Sequence, residues 1–391
     1  MRVSRSLPAG GEGCPLQAEE ADAVLASVAA WARRTALPSF DVRSGRRGEG
    51  ALWQAVLRTA SGGAGGGAAV QLELVTAGAA SSAALAALAA LAASLLEAHE
   101  PLVRVLHTEA PVPPPPDTGA SRGRRRQRRG ASPDACAEAV AVLAARGGGD
   151  SLAVAVQRPG GGAPLRFEVP PRGFWQVNDG GTDLLVRLVA DGVALGLASV
   201  RGNELPVAAH GAGREAGREE ERRPVEEAPR RLALVDLYCG SGLFGVSLAA
   251  TTSFASVLGL ELGAEAVAAA EANAAANGVG ALCRFEAADL AFSGRPPAGL
   301  AAALAPGGVD LAVVVDPPRA GLSGAMRGAL RRSTCSVLVY VSCDAQTLGR
   351  DLAALCGAEG AGTAFRLARA TPVDLTPHAA RVETVCVLSR A

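Results

Sequence analysis

From residue 232 onward, short apolar runs alternate with longer stretches whose polar residues recur at helical spacing. The runs "LALVDL", "ASVLGLELG", "LCRFEAADL", "VDLAVVVD" and "CSVLVYVS" are too short for buried helices and rich in Val, Leu and Ala. That pattern predicts strands, most of them covered on both faces. Between the first three, "LFGVSLAATT" and "AEAVAAAEANAAANGV" read as helices. Strands alternating with helices predict a parallel, doubly wound sheet. The closing segment "RATPVDLTPHAARVETVCVLSR" predicts one further short strand, added at a sheet edge.

The first part of the chain follows a different pattern. "EEADAVLASVAAWARRTAL" reads as a helix, and "ALWQAVLRTA" and "AAVQLELVTAG" as two strands separated by "SGGAGGG". An Ala/Leu-rich helix follows over residues 79–100. It opens with Ser and closes on Glu-Ala-His-Glu, which favours a helix of a globular domain over a membrane span. Two polar stretches interrupt the periodic pattern. Residues 111–134 run from proline into six arginines within eight residues, and residues 210–231 mix both signs of charge. Neither can bury a core, so both read as insertions or solvated loops, the first also as a candidate phosphate-binding arm. The expected organisation is a disordered start over 1–13, a smaller α+β domain over 14–168 and a doubly wound α/β domain over 169–391.

Composition changes this picture little. Net charge is zero, which argues against a uniformly basic nucleic-acid binder but leaves room for local basic patches. None of the eight cysteines forms a CxxC pair or a zinc-like cluster with histidine, so neither a metal site nor a disulfide framework is expected. "MRVSRSLPAGGEG" lacks the apolar region of a secretory signal, which places the expected thiols in a reducing, intracellular setting.

Candidate chemistry gathers where strands end. Gly240, Gly242 and Gly245 form GxGxxG between a strand and a helix, and Glu261 ends the next strand. Such a loop serves a dinucleotide, S-adenosylmethionine, or simply a tight turn without ligand. In "VVVDPPRAGL", Asp316 stands at a strand's carboxyl end. Pro317 and Pro318 stiffen the following loop, and Arg319 offers a bidentate grip on phosphate or carboxylate. Cys343 closes "VLVYVS" beside Ser342 and Asp344; it is either a buried gap-filler or a nucleophile awaiting a base. Glu383 sits in the Val-rich "ARVETVCVL", where a carboxylate is costly unless it has work to do or faces solvent from an edge strand.

Taken in order, "GFWQVN", "VDLYCGSGLFG", "LGLELGAEAVAAAEANAAANG", "VVVDPPRAGL", "YVSCDAQTLGRDL" and "PVDLTPHAARVETV" resemble the RNA uridine C5-methyltransferases, over roughly residues 170–390. The resemblance implies a Rossmann-like class I methyltransferase domain with S-adenosylmethionine as cofactor, acting on tRNA or rRNA. The smaller domain, beginning at "CPLQ", is similar to that family's central, RNA-binding domain. The resemblance casts Cys343 as the nucleophile that adds to uracil C6 and Glu383 as the base that removes the C5 proton. It sets Gln176, Tyr238, Gly240, Gly242, Glu261 and Asp316 around the cofactor, with Pro317, Pro318 and Arg319 beside the base. No membrane, metal or iron–sulfur cluster is expected, the default is a monomer, and the compartment is cytoplasm or an organelle. Three departures stand out. Asp344-Ala345 replaces Asn-Pro, placing a carboxylate where it is expected to raise the thiol pKa. Thr376 and Arg381 replace a phenylalanine and a histidine, and Leu243 replaces a small or polar residue. A non-catalytic RNA-binding protein on the same scaffold, and an NAD-dependent oxidoreductase resting on the glycines alone, are the alternatives.

Overall fold

The computed structural model describes residues 19–34, 51–61, 68–77, 80–110, 140–145, 152–170, 173–176, 178–200, 232–305, 310–357, 364–375 and 382–390. The expected disordered start, both polar insertions, Thr376 and Arg381 lie outside these residues. Two compact units divide between Val154 and Ala155.

The first unit contains α1 (Glu19–Arg34), β1 (Ala51–Ser61), β2 (Ala68–Ala77), α2 (Ser82–Ala98), β3 (Leu102–Ala110) and β4 (Val140–Ala145). Its sheet runs β1-β2-β3-β4, with β2 and β3 parallel and the outer pairs antiparallel. A parallel neighbour needs a crossover, and α2 supplies it. Ser81 caps that helix by accepting from the Ala84 N–H at 3.2 Å. Leu88, Leu91, Ala92 and Leu95, spaced one helical face apart, bury against Val24 and Val28 of α1 and the inner residues of β2 and β3. The Ala/Leu run is thus a packed helix, and among the described residues no helix is long and apolar enough to cross a membrane.

The remaining elements begin with β5 (Leu152–Val156), within which the division falls, and β6 (Leu165–Val169), which pairs with it. The sequence reading placed the boundary after residue 168. Here β6 goes with the second unit because Leu165 and Phe167 join its core. There follow α3 (Asp179–Val200), β7 (Leu232–Leu237), α4 (Leu243–Ala249), β8 (Ser256–Glu261), α5 (Ala264–Ala276), β9 (Cys283–Ala287) and α6 (Ala298–Ala303). The chain continues through β10 (Asp310–Val315), α7 (Gly324–Arg332), β11 (Cys335–Ser342), α8 (Ala345–Cys356), β12 (Phe365–Val373) and β13 (Glu383–Arg390). The seven strands run β12-β13-β11-β10-β7-β8-β9, parallel from β7 to β11 and antiparallel at β13.

Period-2 alternation splits the strands between two cores. Ala312 and Val314 of β10 face α3, α4 and α5, while Val313 and Val315 face α6, α7 and α8. This is the doubly wound, mostly parallel sheet expected of a Rossmann-like methyltransferase domain. One expectation is corrected: β13 is not an edge strand but lies between β12 and β11. Val385, Cys386, Val387 and Leu388 are all buried, so both faces of β13 are covered, whereas β12 is largely exposed and takes the edge.

A buried carboxylate ties this layer together. Asp351 of α8 accepts from the Leu322 N–H at 2.7 Å, the Tyr340 hydroxyl at 2.8 Å, Arg327 at 2.7 Å and Arg350 at 2.8 Å. It thereby joins α8 to β11, α7 and the loop after Arg319. Asp351→Ala leaves several donors without their shared acceptor and is expected to lower the unfolding free energy by about 3 kcal/mol. A urea midpoint equal to wild type would show that the network contributes nothing net.

Candidate active site

Strand register assembles the site. Leu237 of β7 lies opposite Leu260 of β8 and Val315 of β10, and Val315 lies opposite Tyr340 of β11. Ser342 in turn pairs with Thr384 of β13. The flanking residues Tyr238, Glu261, Asp316, Cys343 and Glu383 therefore share the carboxyl end of the parallel strands, where open α/β sheets bind ligands. Antiparallel β13 begins there, which brings Glu383, remote in sequence, beside the end of β11.

The loop after β7 bends sharply. Tyr238 has φ 63°, Gly240 φ 52° and Gly242 φ 86°. The glycines divide the labour. A Cβ on Gly240 would meet nothing within 4 Å, so this backbone lies open to a ligand. A Cβ on Gly242 would press on Ala270 and Val246 at 3.1 Å, so this glycine admits α5. Glu261 spans two turns: one carboxylate oxygen accepts from the Gly240 N–H at 3.2 Å, the other from the Gly263 N–H at 3.0 Å.

Asp236 is a site residue that the sequence reading passed over. It interrupts an apolar strand, is wholly buried, and accepts from the Gly245 N–H at 2.8 Å through Oδ2. Its Oδ1 is buried without a hydrogen-bond partner among the described residues. Burial, reinforced by Glu261 and opposed by the Gly245 N–H, pushes this carboxyl up to about 7. The folded protein thus holds this proton to higher pH than the unfolded chain does, and stability falls as pH rises through about 7. Asp236→Asn removes that loss. Its urea midpoint is expected to gain on wild type as pH rises through that value, the advantage vanishing below the ordinary carboxyl pKa of about 4. An advantage independent of pH would assign the effect to packing.

Cys343 is partly buried. Burial first, then the carboxylates of Glu383 and Asp316, raise its thiol pKa, and Arg319 opposes them. The expectation that Asp344 would be responsible is corrected. One oxygen of that carboxylate accepts from the Gln346 and Thr347 N–H groups at 3.0 and 2.9 Å, as the N-cap of α8. Asp344 is absorbed in starting the helix, and the acids that hold the thiol proton stand on other elements. Burial also raises Glu383, again opposed by Arg319. Asp316 rises well above the carboxylate range through burial, then Glu383 and Asp236. Three proton-holding groups and one guanidinium thus form a single electrostatic cluster.

The other expected residues are placed less closely. Pro317 and Pro318 enter a turn that Gly321 closes through its N–H to the Pro318 carbonyl at 2.8 Å. Gln176 is buried on the segment between β6 and α3, beside Trp175, whose ring lies 5.3 Å from that of Phe167. Strand register does not set Gln176 in the row of strand ends. A second residue went unnoticed in the sequence, Asn273 of α5, buried and bonded to both β6 and the glycine loop. The available signal was two asparagines four apart, on one face of an otherwise Ala-rich helix.

Comparison with known proteins bears out the resemblance read from the motifs. Residues 225–391 match the family model described as tRNA (Uracil-5-)-methyltransferase. An uncharacterized RNA methyltransferase of Parasynechococcus marenigrum is 36% identical over 157 residues, covering 40% of this chain and 31% of that protein. The 23S rRNA (uracil(1939)-C(5))-methyltransferase of Acidithiobacillus ferrooxidans is 37% identical over 160 residues, 40% of this chain and 32% of that protein. The tRNA (uracil(54)-C(5))-methyltransferase of Schizosaccharomyces pombe is 33% identical over 177 residues, 44% of this chain and 30% of that protein. The chain spans about a third of the length of the curated relatives it matches.

Proposed function

From the match of residues 225–391 to the tRNA (Uracil-5-)-methyltransferase family model, we propose that this chain forms 5-methyluridine in RNA, a tRNA or an rRNA, using S-adenosylmethionine. The observation that carries the reading is the meeting of Cys343 and Glu383 at the ends of adjacent strands, one residue beyond the Ser342–Thr384 pair, at the ligand-binding end of the sheet. The cofactor fits what surrounds them. The open backbone at Gly240 forms the cradle, and Tyr238, Gly242, Glu261, Asp316 and Gln176 complete the set that would hold it. When bound, S-adenosylmethionine supplies an electrophilic methyl group.

The chain's own residues do the rest. Uracil C5 is a poor nucleophile, so the Cys343 thiolate adds to C6 and pushes the ring electrons onto C5. Once C5 carries both the methyl group and its hydrogen, the Glu383 carboxylate takes that proton. The released electron pair restores the C5–C6 double bond and expels the Cys343 thiolate. A carboxyl pKa raised by burial suits this base. Reaching C6 requires the uridine to leave its stack, which favours loops and single strands as substrates.

Arg319 favours the charged forms of both catalytic groups. Arg319→Gln is therefore expected to move the rising limb of the pH–rate profile upward and to slow neutral-pH turnover about tenfold. A loss of rate with no displacement of that limb would mean Arg319 acts only on substrate binding.

The reading is tested with methyl-labelled S-adenosylmethionine and unmodified tRNA and rRNA transcripts, followed by nucleoside analysis. Labelled 5-methyluridine supports it. Cofactor binding without any labelled product would instead favour an RNA-binding protein that has kept the scaffold, a reading to which the raised Cys343 thiol lends some weight.

A further inference from the structure

Two glycines give the loop after β7 its shape but no reason to keep it, because glycine visits many backbone conformations at similar cost. Three side chains restrain it: Glu261 at the Gly240 N–H, Asp236 at the Gly245 N–H, and Asn273 at the Ser241 carbonyl. Asn273 alone of these does not ionise, and its bonds reach well beyond the loop.

The Asn273 side chain is 1% exposed. Its Nδ2 donates to the Ser241 carbonyl at 2.9 Å and the Glu168 carbonyl at 3.1 Å, while its Oδ1 accepts from the Glu168 N–H at 2.7 Å. Both amide hydrogens and the oxygen are engaged. Asn277, the C-cap of α5 one turn further on, accepts from the Arg166 N–H at 2.9 Å and donates to the Arg166 carbonyl at 2.6 Å. Four helical residues rise about 6 Å and two strand residues about 6.6 Å, so the two amides meet alternate residues of β6 as a neighbouring strand would. Only Asn273 extends this bracket to the glycine loop.

We propose that Asn273 is a positioning residue for the cofactor. It locks the Ser241 peptide between the two glycines and fastens it to the strand that leads into the Gln176 segment, so that both walls of the proposed site are set before binding. The inference rests on the reading under Proposed function and adds a residue that touches neither the reacting atoms nor the RNA.

The test compares Asn273→Ala and Asn273→Asp with Asn277→Ala. The Asp variant keeps the acceptor for the Glu168 N–H and loses both donated bonds, so it examines the anchor with less disturbance of packing. Asn277→Ala removes the same kind of bond to β6 without touching the loop. Both Asn273 variants are expected to weaken S-adenosylmethionine binding by calorimetry about tenfold, with Asn277→Ala close to wild type. Without cofactor, amide hydrogen exchange over residues 238–246 should quicken in both Asn273 variants and not in Asn277→Ala. Thermal melts confirm that all three fold. Equal affinity losses, or equal exchange, in the Asn273 and Asn277 variants overturn the proposal, because the bond would then serve only β6. A wild-type protein that binds no S-adenosylmethionine overturns the reading beneath it. The exchange experiment, read without cofactor, tells that failure apart from failure of the anchor.

Discussion

Cys343→Ala is expected to cut 5-methyluridine formation by about 10³-fold or more while leaving cofactor affinity unchanged. The residue follows β11 and precedes the cap of α8, and the bonds that shape this corner are made by its neighbours. Ser342 and Asp344 bond each other, and Asp344 holds the first N–H groups of α8. Truncating the thiol disturbs none of them, so lost activity cannot be ascribed to lost structure. RNA carrying 5-fluorouridine sharpens the result. Fluorine cannot leave as a proton, so once C5 is methylated the C6 adduct has no exit and survives a denaturing gel as a slow band. That band should form with wild type and vanish in Cys343→Ala. A variant that still methylates, or still forms the band, would falsify the assignment of the nucleophile.

Glu383→Gln should stop the reaction halfway. The amide matches the carboxylate in size but cannot take the C5 proton, so turnover is expected to fall by about 10²- to 10⁴-fold. Addition to C6 should not suffer with it. Glu383 is the largest cause, after burial, of the raised Cys343 thiol, so removing its charge lets the thiolate form at lower pH. A methylated adduct on ordinary uridine should therefore accumulate in the variant, and its formation should be faster at neutral pH than in wild type. Slow turnover without adduct would mean that Glu383 serves an earlier step, and undiminished turnover would place the base elsewhere.

The strands buried on both faces were legible because such strands must be apolar throughout, as "VVV" in β10 and "VLVYV" in β11 are. Exposed β12 carries no such run and went unread, as did α3. Candidate chemistry was legible wherever it ended or followed a strand, as Gly240, Glu261, Asp316 and Cys343 each do. Asp236 and Asn273 were not, since each looks like a lapse in an apolar stretch until its bonding partner is known.

The sequence by itself determined the strand–helix alternation, the glycine turn, and a thiol and acids at segment ends, because these depend on residues close together along the chain. The order of the strands was decided only in three dimensions. Both faces of β13 are apolar, and its Val, Cys and Leu side chains fit between β11 and β12 as well as at an edge until the opposing helices are present. That choice of place, rather than any local motif, sets Glu383 beside Cys343. Tertiary packing likewise gave the Asp344 carboxylate to α8 and left the thiol to Glu383, Asp316 and Arg319. Charges act through space, and a sequence records their neighbours only along the chain.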